Sequence, residues 1–189
     1  MSDKQRWPRA YAQHVAELLT VELGPACARL QIAGSLRRKK HSVGDIELVY
    51  VPRIERRTDT STLFPEEITV NCADEVINRW ERDGVLRRRL NINGSETFGE
   101  KIKLMLHVDS SVPVDLFSTT EESWWNYLVC RTGPAESNVA IAEAARAKGW
   151  EWKPYSPGFY RIGHTEIMHS ERAVFDFVGL PYNEPERRI

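Results

Sequence analysis

The segment that most limits the fold is Asp45-Ile46-Glu47-Leu48-Val49-Tyr50-Val51, closed by Pro52. A short run rich in β-branched and aromatic residues, ended by a proline, predicts a strand. Its period of two places Asp45 and Glu47 on one face and Ile46, Leu48 and Tyr50 on the other. The apolar trio can enter a core, so the strand crosses a folded domain and holds two carboxylates side by side. Like charges at that spacing repel, and both are costly to desolvate. A site that keeps them usually supplies a cation, and hard oxygen donors suit Mg²⁺.

The remaining elements follow from periodicity and breakers. Pro8 to Leu23 predicts a helix, with Tyr11, Val15, Leu18, Leu19 and Glu22 at helical spacing and Gly24-Pro25 as its stop. Leu30 and Ile32 alternate with polar residues in a strand that ends at Ala33-Gly34-Ser35. Residues 53–70 read as a long surface loop. A helix over Ala73 to Trp80 stops at Gly84, and Leu86 to Leu90 alternates. Lys101 to Val108 and Val112 to Phe117 are two strands joined only by Asp109-Ser110-Ser111, so they predict an antiparallel hairpin. Character changes near Ser118. Beyond it come helices over Glu121–Cys130 and Ala135–Lys148, short aromatic strands over 150–162, and a last helix that Ser170 caps and Gly179 stops. The expected fold class is α+β: a mixed sheet with helices over residues 1–118, then a smaller, mostly helical lobe over 119–189.

Composition excludes several functions. The chain has 189 residues, 26 Lys+Arg against 27 Asp+Glu, 41% hydrophobic and 28% charged residues. That length buries a real core. No run approaches the roughly 18 apolar residues of a membrane span. The start, MSDKQRWPRA, carries no apolar segment of the secretory kind. Three scattered cysteines, Cys27, Cys72 and Cys130, argue against a disulfide framework and for a reducing, cytoplasmic setting. No zinc-type Cys or His spacing occurs.

A third carboxylate, Asp115, sits in the apolar strand Val112-Pro113-Val114-Asp115-Leu116-Phe117. If that strand lies beside the Asp45 strand, three carboxylates converge. This is the equipment of two-metal phosphoryl transfer, with ions roughly 3.5–4 Å apart. Upstream, Gly34-Ser35 leads into Arg37-Arg38. Glycine lets a backbone approach phosphate, serine donates a hydrogen bond, and arginine forks onto phosphate oxygens. Taken singly, Gly-Ser is most often a turn and Asp-x-Glu most often a solvated strand face. The joint pattern is much harder to dismiss, and spacing carries it as far as a nucleotidyltransferase-like site.

The series AGSLRR, VGDIELV and VPVDLF resembles the signature of the DNA polymerase beta superfamily of nucleotidyltransferases. Arg131-Thr132-Gly133-Pro134 with Ser137-Asn138 resembles the thumb of family X DNA polymerases, and Val174 to Tyr182 with Pro185-Glu186-Arg187-Arg188 resembles that family's C-terminal ending. The resemblance implies a palm over 1–118 and a nucleotide- and DNA-binding thumb over 119–189. It implies that Asp45, Glu47 and Asp115 bind two Mg²⁺ ions, with Mn²⁺ able to substitute. Asp115 would take or relay the primer 3′-hydroxyl proton. Ser35 and Arg38 would hold the triphosphate, with Gly34 at the turn, Gly44 giving backbone access and Arg6 an upstream phosphate ligand. Gly133 would sit by the sugar and Asn138 by the base. The implied partners are a (d)NTP and a DNA primer-template or gapped DNA, with RNA as a further acceptor; no membrane partner is expected.

Three positions depart from the family's pattern: Glu47 stands where Asp is usual, Cys130-Arg131 replace an aromatic pair, and Pro113 replaces an arginine two residues before the third carboxylate. They bear on metal geometry and sugar discrimination. With the palm at the start of the chain, the expectation is a protein without the family's N-terminal DNA-gripping modules and with weak DNA affinity of its own. The expected activity is a minimal family X-like polymerase for gap filling or repair. The alternatives are an untemplated terminal or RNA nucleotidyltransferase, a transferase to a non-nucleic-acid acceptor, and an inactive nucleotide-binding module. Arg87-Arg88-Arg89, and Lys101 with Lys103, could face nucleic acid or plain solvent. Trp124, Trp125 and Tyr127 are expected at the joint between lobes, and Tyr155, Phe159 and Tyr160 in a core.

Overall fold

A computed structural model describes residues 5–60 and 64–188. The first four residues, where the start without a secretory pattern begins, lie outside the described residues, as do 61–63 and 189. The first part of the chain runs β1 (Trp7–Pro8), α1 (Arg9–Leu23), β2 (Cys27–Ile32), α2 (Gly34–Arg37), β3 (Ser42–Val43), β4 (Ile46–Pro52), β5 (Ile54–Asp59) and β6 (Glu66–Asn71). It continues through α3 (Cys72–Arg82), β7 (Leu86–Arg88), β8 (Ile102–His107) and β9 (Pro113–Ser118). The rest is α4 (Trp124–Thr132), α5 (Ala135–Ala147), β10 (Glu151–Trp152), β11 (Gly158–Arg161), β12 (His164–Ile167) and α6 (Glu171–Val178). The fold is α+β.

A mixed five-stranded sheet, in the order β2-β4-β9-β8-β7, carries the molecule. Only the β4–β9 pair is parallel; β8 and β9 form the antiparallel hairpin that their short link requires. Ile46, Leu48 and Tyr50 are fully buried on one face, together with Val114, Leu116 and Met105, against Leu19 and Leu23 of α1 and Ile77 and Trp80 of α3. Asn71 caps α3 by accepting from the Asp74 backbone N–H at 3.2 Å. On the other face, Val49, Val51 and Phe117 pack with Trp124, Tyr127 and Leu128 of α4. That face is therefore acidic at one end, where Glu47 and Asp115 lie, and apolar at the other.

A second cluster gathers Val129, Ile141, Phe159, Val174 and Phe175 around a three-stranded sheet, β10-β11-β12. Ser170 caps α6 as its type predicts, accepting from the Ala173 N–H at 3.0 Å, and Gly179 ends the helix in the left-handed region.

Four expectations are corrected. Residues 53–70 hold the antiparallel hairpin β5–β6 rather than a plain loop. Neither strand buries an apolar stripe, so no period of two marks it in the sequence. In α1 the buried stripe is Ala12, Val15, Ala16, Leu19 and Leu23, while Tyr11 and Leu18 are exposed. Lys103 does not open to a groove: it is 3% exposed, on the same face as Met105, with Nζ 2.8 Å from Asp74 Oδ1. Its long stem covers apolar surface while α3 supplies the counter-charge. Tyr155 is exposed rather than in a core, although Phe159 is fully buried.

Candidate active site

Parallel pairing of β4 with β9 sets Glu47 opposite Asp115, with Ile46 opposite Val114 and Leu48 opposite Leu116. Two carboxylates separated by 60-odd residues of chain thus become cross-strand neighbours on the acidic end of the sheet face. Asp45 immediately precedes β4. A cleft of about 450 Å³ opens beside it, lined by Arg6, Ser35, Arg38, Lys40, His41, Ser42, Gly44, Asp45 and Glu47. Six of these are residues singled out from the sequence; Lys40, His41 and Ser42 are additions. Asp115 borders this group through the sheet rather than lining the cleft.

Local geometry explains the residue types. The Ala33 N–H donates to the Glu47 carbonyl at 2.8 Å, which anchors the turn after β2 to the start of β4. Gly34 then adopts φ +60°, and a Cβ there would stand 1.6 Å from Glu47 Oε2. Only glycine meets both demands. Ser35 follows within the single turn of α2. Arg6 reaches the cleft because β1 pairs with β3, Trp7 opposite Val43, and its Nε donates to Ser42 Oγ at 3.0 Å.

Charge is unevenly distributed. Burial pushes the Glu47 carboxyl up to about 8, and the neighbouring Asp45 and Asp115 charges add to the rise, while Arg131 and Arg38 oppose it. Among the described residues, no group of three His, Cys, Asp or Glu side chains is gathered tightly enough to hold a metal ion. The Glu47 carboxylate lies against Gly34, and Asp115 Oδ1 accepts from Arg89 Nη2 at 2.5 Å. The donor set still fits a hard divalent cation in kind, since it offers three carboxyl groups, and a bound cation would favour the ionised form of Glu47. Ser35 Oγ, Arg38 Nε and Asn138 Oδ1 are buried atoms with no hydrogen-bond partner within the described protein. Such atoms are expensive unless a ligand or water meets them.

The cleft is joined to the C-terminal elements by its own arginines. Arg38 Nη1 donates to the Thr132 carbonyl, and Gly133 leaves room for that guanidinium, since a Cβ there would lie 3.2 Å from Nη1. Asn138 Nδ2 donates to the Cys130 carbonyl at 2.9 Å. Arg37 donates to Thr132 Oγ1 at 2.6 Å and to the Glu171 carboxylate, which also accepts from Arg188 Nη2 at 2.8 Å. Glu171 and Arg188 are both buried. Arg131 stacks 3.7 Å over Phe117 and near Tyr127 and Tyr155. The sequence motifs contain Arg37, Arg89, Arg131 and Arg188 but not Glu171, and no local pattern marks their pairings, because the partners are distant in the chain.

Comparisons with known proteins agree with this architecture. Residues 127–189 match the family described as DNA polymerase beta thumb. The chain is 25% identical over 187 residues to DNA polymerase/3′-5′ exonuclease PolX of Bacillus subtilis (strain 168), an alignment covering 97% of this chain and 29% of that protein. The chain therefore spans less than a third of that curated relative. It is also similar to the crystal structure of Leishmania infantum polymerase beta in a ternary P/T complex, with a TM-score of 0.68 and 18% identity, covering 98% of this chain and 77% of that one. Among the described residues no helix is long and apolar enough to cross a membrane. The C-terminal third thus matches the polymerase beta thumb family, and the fold as a whole is similar to that of polymerase beta.

Proposed function

We propose that this chain catalyses nucleotidyl transfer from a (d)NTP to a nucleic-acid 3′-hydroxyl, as a minimal family X-like DNA polymerase acting in gap filling or repair. The observation that carries the reading is the parallel pairing of Glu47 with Asp115 beside Asp45. The likeness to polymerases supports DNA and nucleotide as partners. Residues 1–118 would form the palm and 119–189 the thumb, which the thumb-family match over 127–189 supports.

Asp45, Glu47 and Asp115 would hold the divalent ions, Mg²⁺ or Mn²⁺. Bound there, such ions lower the pKa of an attacking hydroxyl and neutralise charge on the phosphate. The chain's own groups do the rest. Ser35 and Arg38 bind the triphosphate, Gly34 and Gly44 let the backbone approach it, and Arg6 guards the rim. Asp115 takes or relays the hydroxyl proton. Gly133 and Asn138 lie along the sugar and base. Fixed donors aimed at developing charge, and alignment of the two reactants, account for most of the acceleration.

The test is extension of a labelled primer, on gapped duplex and on single strands, with each dNTP and NTP and with Mg²⁺ added or chelated. The reading expects Mg²⁺-dependent insertion of the template-matched dNTP, abolished in Asp45→Asn. Insertion that ignores the template would favour an untemplated transferase. No insertion on any acceptor, in wild type and Asp45→Asn alike, would leave a nucleotide-binding module.

A further inference from the structure

Opposite Glu47 on one side, Asp115 meets apolar neighbours on the other. Along β9 the same-face residues are Pro113 and Phe117; across on β8 the opposing residues are Leu106, Leu104 and Ile102. The cation that meets it comes from one strand further out. Just past β7, the Arg89 N–H donates to the Leu104 carbonyl at 3.1 Å, which docks Arg89 beside the residue that opposes Asp115. From there the side chain spans β8 and Nη2 reaches Asp115 Oδ1 at 2.5 Å. The pair is partly shielded, at 26% and 14% side-chain exposure. A charge-assisted contact in that setting is stronger and more directional than one in open solvent. Arg88, its neighbour, is turned to Glu81 at 2.7 Å and lies over Phe98, so the two arginines have separate tasks.

We propose that Arg89 is a positioning residue for Asp115: from just past β7, across the intervening β8, it fixes the carboxylate's orientation, and its guanidinium gives way to a divalent cation when one enters. This rests on the metal-dependent reading above. Two opposed consequences follow. Arg89 holds Asp115 in place for chemistry, and its own positive charge opposes cation loading.

The experiment measures Mn²⁺ affinity by electron paramagnetic resonance titration of the whole chain, and kcat and KM for dNTP in primer extension, in wild type, Arg89→Gln, Arg89→Lys and Asp115→Asn. Arg89→Gln is expected to bind Mn²⁺ roughly three- to tenfold more tightly, as a like charge leaves the site. Its kcat should fall roughly tenfold, with KM little changed, as orientation is lost. Arg89→Lys, which keeps the charge, should lie near wild type in affinity and between the two in kcat. Unchanged or weaker Mn²⁺ binding in Arg89→Gln, or an unchanged kcat, would overturn the proposal. Should Arg89→Gln not fold, Arg89→Lys decides alone, and a kcat equal to wild type counts against it. A wild type whose Mn²⁺ binding is indifferent to Asp115→Asn would instead overturn the metal reading itself, and this inference with it.

Discussion

Two groups of charges lie a few residues apart on either side of Gly34–Arg38, and they are arranged in opposite ways. At the joint, Arg37 and Arg188 both donate to Glu171, with Glu171 and Arg188 buried and Arg37 partly so. At the cleft, Asp45 and Glu47 line the wall and Asp115 stands opposite Glu47 in the sheet, paired with Arg89; the Glu47 carboxyl is pushed up to about 8, and Ser35 Oγ and Arg38 Nε have no partner within the described protein. The joint pairs its charges with one another, with Arg188 Nη1 the one buried nitrogen of the trio that has no hydrogen-bond partner within the described protein. The cleft raises the Glu47 carboxyl and leaves Ser35 Oγ and Arg38 Nε unmet by protein, which supports reading it as the place where a ligand binds.

Substitutions should separate the two regions. The largest effect is expected from Asp115→Asn: primer extension falls by at least about a thousandfold while the melting temperature changes little, because the repulsion relieved at Glu47 is offset by the lost ion pair with Arg89. A melting temperature that dropped sharply would place Asp115 among structural groups. Next comes Glu171→Ala, which strands the buried Arg188 guanidinium and the partly buried Arg37 and should cost about 3–5 kcal/mol by denaturant unfolding. Glu171→Gln, keeping some hydrogen bonds, should cost less, and equal losses would mean that charge is irrelevant there.

Smaller is Gly34→Ala. The positive φ contributes about 1 kcal/mol of strain, and the new methyl group must displace the Glu47 carboxylate. Activity should fall more than tenfold with only a modest loss of stability, so a purely thermodynamic effect would blur the contrast. Smallest is Arg57→Ala in the β5–β6 hairpin, whose ion pairs with Glu55 and Glu75 are exposed. Its melting curve should overlay wild type.

What could be read in advance was whatever a single segment encodes. Ile46, Leu48 and Tyr50 announce the buried face of β4 by alternation, and the three-residue link announces the β8–β9 hairpin. Ser170 and Gly179 mark the ends of α6 by residue type alone. The β5–β6 hairpin escaped because its alternation carries no apolar stripe. Lys103 misled because its stem packs like a hydrocarbon while its ammonium finds Asp74. The Arg37–Glu171–Arg188 cluster and the Arg89–Asp115 pair escaped for another reason: each joins segments that meet only after the chain has folded.

The parallel register of β4 and β9 has one more implication. A parallel pair requires a crossover, and here it comprises β5, β6, α3, β7 and β8. The β5–β6 ribbon is a separate two-stranded sheet, hydrogen-bonded to neither acid-bearing strand. Lengthening, shortening or replacing the connection between Asp59 and Glu66 therefore need not slide Glu47 past Asp115. That makes it a natural graft point, where a fluorophore, an affinity handle or a foreign module could be spliced in with the acidic rim left in register.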